Sequence, residues 1–114
     1  MSSTIIYNSF NPRTNTMLFA DVVMEFIGTF FLVAIVIATS GQAIAAGVAL
    51  AGAIFLAGQN NAAHFNPAVS IAMLLRGDVS AKRFVSLVIG QIIAAAAAMI
   101  FVQWVQIKPT IKPK

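Results

Sequence analysis

The chain is 114 residues long, with 60% apolar residues and only 9% charged ones, against about 25% charged in soluble domains. That shortage excludes an ordinary water-soluble domain, points to lipid as the solvent, and suits a single folding unit. The net charge of +4 does not indicate nucleic acid, because the cations are scattered beside apolar runs rather than gathered on a basic face with stacking aromatics. With no cysteine, disulfides and thiolate metal sites are also excluded.

Residues 1–16 form a polar segment with Asn, Pro and Ser. It lacks the short apolar core after a basic start that marks a signal peptide. Leu18–Ala38 is the first apolar run, and its 21 residues would rise roughly 32 Å, enough for a hydrocarbon core of about 30 Å. A short turn at 39–42 leads into a second apolar segment at 43–58. A third, at 84–105, ends beside Trp104, where an interfacial aromatic is expected. The mixed segment 59–65 is followed by Asn66-Pro67 and an apolar run closed by Arg76-Gly77-Asp78. Asn as N-cap, Pro at the first helical position and Gly just past the end predict a helix over Pro67–Arg76. At about 15 Å it would cover half a membrane.

Two readings of that short helix follow from spacing alone. The first is an amphipathic surface helix or a buried loop in a bundle, and the second is a re-entrant half-helix that starts near the midplane. The second requires the preceding loop to be satisfied by protein or a water-filled cavity.

The string Asn61-Ala62-Ala63-His64-Phe65-Asn66-Pro67-Ala68-Val69-Ser70 resembles the first re-entrant loop of the aquaporin/glycerol-facilitator family. Glu25-Phe26-Ile27-Gly28-Thr29-Phe30 is similar to that family's first-helix signature, and Gln91 stands where its third span often carries glutamine. The resemblance covers about residues 21–102. It implies an all-α membrane protein with three transmembrane helices and one re-entrant half-helix, half of an aquaporin-like fold. The chain then divides into the polar segment 1–16, a half-channel unit at 17–107 and a basic tail at 108–114. A multi-pass protein of the cell's inner or plasma membrane is expected. The chain departs from the family in having one Asn-Pro-Ala, Asn61-Ala62 where Ser-Gly is usual, and Val69 where the second repeat usually carries arginine.

A half-helix that stops at the midplane needs a counterpart, which inverted repeats supply in membrane transporters. The resemblance therefore implies a second, antiparallel copy, with family-like tetramers of pores amounting to an octamer. Three spans put Arg13, Arg76, Lys82 and Arg83 on one side and Lys108, Lys112 and Lys114 on the other, four of the seven cations against three. So small a difference permits both orientations under the positive-inside rule, the alternative being a single orientation with the cytoplasmic N-terminus usual in the family. Rows of small residues at Ala43, Gly47, Ala51 and at Gly90, Ala94, Ala98 allow close helix contacts within or between chains.

The resemblance further implies passive conduction of water or small polyols. Asn66, Pro67 and Ala68 would lie at the pore centre, with the carbonyls of Ala62, Ala63, His64 and Phe65 as acceptors. Filter positions would fall at Ala46, Ile54, Ala63 and Val69, all apolar, which suggests a wide mouth open to glycerol-like solutes. An ionisable residue within a span is a functional candidate. Glu25 is expected to brace the loop backbone rather than carry protons. His64 lacks neighbouring ligands for a metal. Gln91 and Gln103 are candidates for interhelical hydrogen bonds, and Asp78 with Lys82 and Arg83 for capping and anchoring the third span. No nucleophile–base pair, metal cluster or phosphate loop points to an enzyme, and no cofactor is implied. The rival functions are a small dual-topology proton-coupled exporter and a non-conducting subunit of a full-length homologue.

Overall fold

A computed structural model describes residues 12–58 and 62–106, with side chains from Leu18 onward. Asn61 of the loop string and the basic tail at 108–114 lie outside the described residues, as does most of the polar segment 1–16. Four helices follow one another: α1 (Pro12–Ala38), α2 (Ala43–Ala57), α3 (Pro67–Arg76) and α4 (Ala81–Gln106). No strand occurs among the described residues. α1 packs against α4 and α2, and α3 lies against α4.

Local chemistry sets the boundaries. Beyond α1, Ser40 and Gly41 adopt positive φ, which lets the Gly41 N–H donate back to the Val36 carbonyl at 2.8 Å and close the helix end. The Gln42 side chain then accepts from the Ala45 N–H at 2.9 Å and starts α2. α3 occupies the residues its caps predict. Asn66 Oδ1 accepts from the Ala68 N–H at 2.8 Å, Pro67 is the first helical residue, and Gly77 is left-handed at φ 87°. α4 begins at Ala81 rather than at residue 84, because Ser80 caps it: its Oγ accepts from the Arg83 N–H at 3.2 Å. Asp78, expected as that cap, instead pairs with Arg76.

α1 from Leu18 and α4 are long and apolar enough to cross a membrane. α2 has 15 residues, roughly 22 Å of rise. The distribution of side chains inverts that of a soluble protein. Phe19, Ile44, Phe55, Leu56 and Leu75 face outward, while Asp21, Glu25, Thr29, His64, Ser70 and Gln91 are buried. Water would penalise that outer surface, whereas lipid suits it.

The two rows of small residues separate. Gly90, Ala94 and Ala98 are buried, and a methyl group on Gly90 would sit 3.2 Å from Val22 Cγ1 of α1. α1 and α4 therefore meet at close range. On α2 the buried row is Ala49, Ala53 and Ala57, while Ala43, Gly47 and Ala51 face outward.

Candidate functional site

α1 carries Asp21, Glu25 and Thr29 at four-residue spacing, which places them on one helical face. All three are buried. At one end of this row Asp21 forms an ion pair with Arg83 of α4. Arg83 is thus turned inward to α1 instead of serving only as a boundary anchor. At the centre, the two oxygens of Glu25 gather three donors. Oε1 accepts from the His64 N–H at 2.7 Å, and Oε2 accepts from the Phe65 N–H at 2.6 Å and from Gln91 Nε2 at 2.9 Å.

These bonds explain a strained loop. Ala63 and Phe65 both have positive φ, 53° and 54°, a conformation that costs roughly 1–2 kcal/mol per residue outside glycine. Two charge-assisted bonds to consecutive loop N–H groups offset that cost. The Phe65 side chain adds to it, since it is buried with Ala53 and Ala57 of α2, and Ala63 packs at the edge of the same cluster. Its ring fills the space over Gly28, where any β-carbon would overlap it.

Ser70, one turn into α3 and fully buried, links the loop to α4. Its Oγ lies 2.9 Å from both His64 Nδ1 and Gln91 Nε2. Around the start of α3, Thr29, Val33, Asn66, Pro67, Gln91 and Ile92 are among the residues lining an open cavity of about 390 Å³. Thr29 Oγ1 and Gln91 Oε1 are buried without a hydrogen-bond partner.

Of the residues singled out in the sequence, Glu25, His64, Phe65 and Gln91 come together in one network, which joins α3 through Ser70. Asn66 is exposed at the start of α3, with Pro67 half-buried, Ala68 exposed and Val69 half-buried behind it, and Ala62 half-buried ahead of the strained loop. Ala46 and the exposed Ile54 lie on α2, outside the network. Gln103 is exposed on α4. Ser70 and the Asp21–Arg83 pair were missed by sequence reasoning. Ser70 had a readable signal, being a polar residue in an apolar helix four positions after its cap, on the face that meets the loop.

The sequence has known relatives. Residues 39–113 match the family described as Major intrinsic protein. A glycerol uptake facilitator protein-like 6 of Lactiplantibacillus plantarum is 39% identical, over 65% of this chain and 38% of the relative. A glycerol uptake facilitator protein of Streptococcus pneumoniae is 36% identical, over 55% of this chain and 26% of the relative. The chain thus spans well under half the length of the curated relatives it matches. No solved structure matches it significantly. The family match covers most of the chain, and on that ground the chain belongs to the major intrinsic protein family.

Proposed function

We propose that this chain is one half of a passive channel for water and small uncharged solutes such as glycerol, completed by a second copy inserted in the opposite orientation. In this reading α1, α2 and α4 cross the bilayer, α2 with the help of its flanking turns. α3 is a re-entrant half-helix whose ten residues rise about 15 Å, half of a core of about 30 Å.

The observation that carries the reading is the capture of two successive loop N–H groups by Glu25. In a trans peptide the N–H and C=O point in opposite directions. Turning the N–H groups of His64 and Phe65 inward therefore turns the carbonyls of Ala63 and His64 away from Glu25. Those carbonyls, with those of Ala62 and Phe65, supply acceptors along the solute path. Asn66 adds a donor, because its Oδ1 is engaged by the Ala68 N–H and Nδ2 is left to the solute. Ala46, Ile54, Ala63 and Val69 give an apolar filter without arginine, wide enough for a polyol. The N-terminus of each half-helix carries roughly half a positive charge. Two of them facing at the midplane repel cations.

Glu25 spends both oxygens on N–H donors, which favours a bracing role over that of a proton carrier in an exporter. The family's chemistry is conduction, and no enzymatic step is assigned. The test is stopped-flow light scattering of proteoliposomes under water and glycerol gradients. Rates above those of empty vesicles are expected for both, with no ohmic cation current. Robust cation current, or a requirement for a proton gradient, overturns the reading. Absence of any flux favours a non-conducting subunit. Passage of water with exclusion of every small polyol removes the wide filter alone.

A further inference from the structure

The hydrogen bond between Gln91 and Ser70 has a direction, and Glu25 sets it. An amide and its flipped form are distinguished by their neighbours. Gln91 Nε2 lies 2.9 Å from Glu25 Oε2, so the opposite orientation would set the Gln91 carbonyl against a carboxylate oxygen. The same Nε2 also lies 2.9 Å from Ser70 Oγ. An amide nitrogen only donates, so Ser70 Oγ must accept there. A hydroxyl that accepts still has its own proton to give. Across from it, 2.9 Å away, is His64 Nδ1. With the Ser70 proton directed to it, Nδ1 is the acceptor, and the ring proton belongs on Nε2.

We propose that Ser70 is a positioning residue that holds His64 in its Nε2–H tautomer. The relay runs one way, from Gln91 to Ser70 to His64, with its sense imposed by a carboxylate on α1. His64 lies in the chain between Ala63 and Phe65, the two residues of this loop with positive φ. Ser70 thereby ties the strained turn to the first turn of α3 and to α4. Alanine has no proton to give and breaks the relay, whereas threonine preserves it. The effect on conduction rests on the pore reading above, but the tautomer does not.

His64 is the only histidine in the chain, so its ring nitrogens give unambiguous signals in the ¹⁵N-labelled full-length protein. Two-bond ¹H–¹⁵N correlation spectra at about pH 8, where an ordinary imidazole is neutral, read the tautomer directly. In the wild type a protonated Nε2 and an acceptor Nδ1 are expected. Ser70→Thr keeps that pattern. Ser70→Ala removes the donor to Nδ1, so the Nδ1 resonance leaves its hydrogen-bonded position and the single-tautomer pattern is lost, together with a several-fold slower glycerol flux at equal protein density. A wild-type ring protonated on Nδ1 overturns the proposal without recourse to any variant. An unchanged pattern in Ser70→Ala overturns it as well. If the wild-type pattern is as expected but the vesicles pass no solute, the pore reading fails and the role of Ser70 stands.

Discussion

At the scale of single residues, the loop depends on one carboxylate and one missing side chain. Glu25→Gln keeps the shape but puts an NH₂ group where an N–H donor must be accepted. One of the buried donors is then left unpaired, at a cost of about 1–3 kcal/mol. Thermal unfolding followed by the fluorescence of Trp104, the sole tryptophan, should show that loss, and the surviving folded protein should still conduct. Gly28→Ala is expected to destabilise by about 1–3 kcal/mol through overpacking, because Phe65 is buried and its N–H is held by Glu25, so the ring cannot step aside. Asn66→Asp should retain the cap on Ala68 yet lose the solute donor, with normal folding and reduced glycerol flux in vesicles. Much of this site could be anticipated from the sequence, since Glu25 in an apolar run and Asn66 before Pro67 are conspicuous. The role of Gly28 could not, because it depends on a partner brought close only by the path of the loop.

At the scale of helices, the α1–α4 contact is the main joint. The Asp21–Arg83 pair sits at one end of it and the Gly90–Val22 approach lies further along. Removing Arg83 alone strands a buried carboxylate, which costs about 3–5 kcal/mol. The double replacement of Asp21 and Arg83 by alanine should therefore unfold less readily than Arg83→Ala, and a double-mutant cycle in denaturant measures the difference. Helix limits were most legible where capping chemistry is strong, as at Asn66, Pro67 and Gly77. They were least legible at the start of α4. There Lys82 and Arg83 make the first turn look like a polar linker, although Ser80 caps it and Arg83 finds a buried partner. Two rows of small residues on α2 are equally good packing surfaces by composition. Only the placement of α1 shows that Ala49, Ala53 and Ala57 are the buried ones.

At the scale of the whole molecule, the proposed pairing of opposed copies makes a prediction about orientation. The chain has no cysteine, so Ala81→Cys, exposed at the first residue of α4, is a clean reporter. In intact cells an impermeant thiol reagent should label a fraction of the molecules from outside and leave the rest to be labelled only after lysis. Labelling confined to one side would refute dual insertion.

The polar row on α1 bears on how such a protein reaches the bilayer at all. A carboxylate at the centre of a lone helix opposes insertion by about 2.5–3.5 kcal/mol, and α1 carries Glu25 well inside its apolar span and Asp21 near the start of it. Their partners are made much later: Gln91 follows Glu25 by 66 positions, and Arg83 lies on the same late helix. During synthesis α1 must therefore wait beside the insertion machinery, or rest at the membrane surface, until α4 emerges. Truncations ending before α4 should leave α1 poorly inserted in a glycosylation-mapping assay, and extension through residue 106 should restore it. The bonds that shape the loop thus also bear on the order of biogenesis, with α1 committed to the membrane by α4.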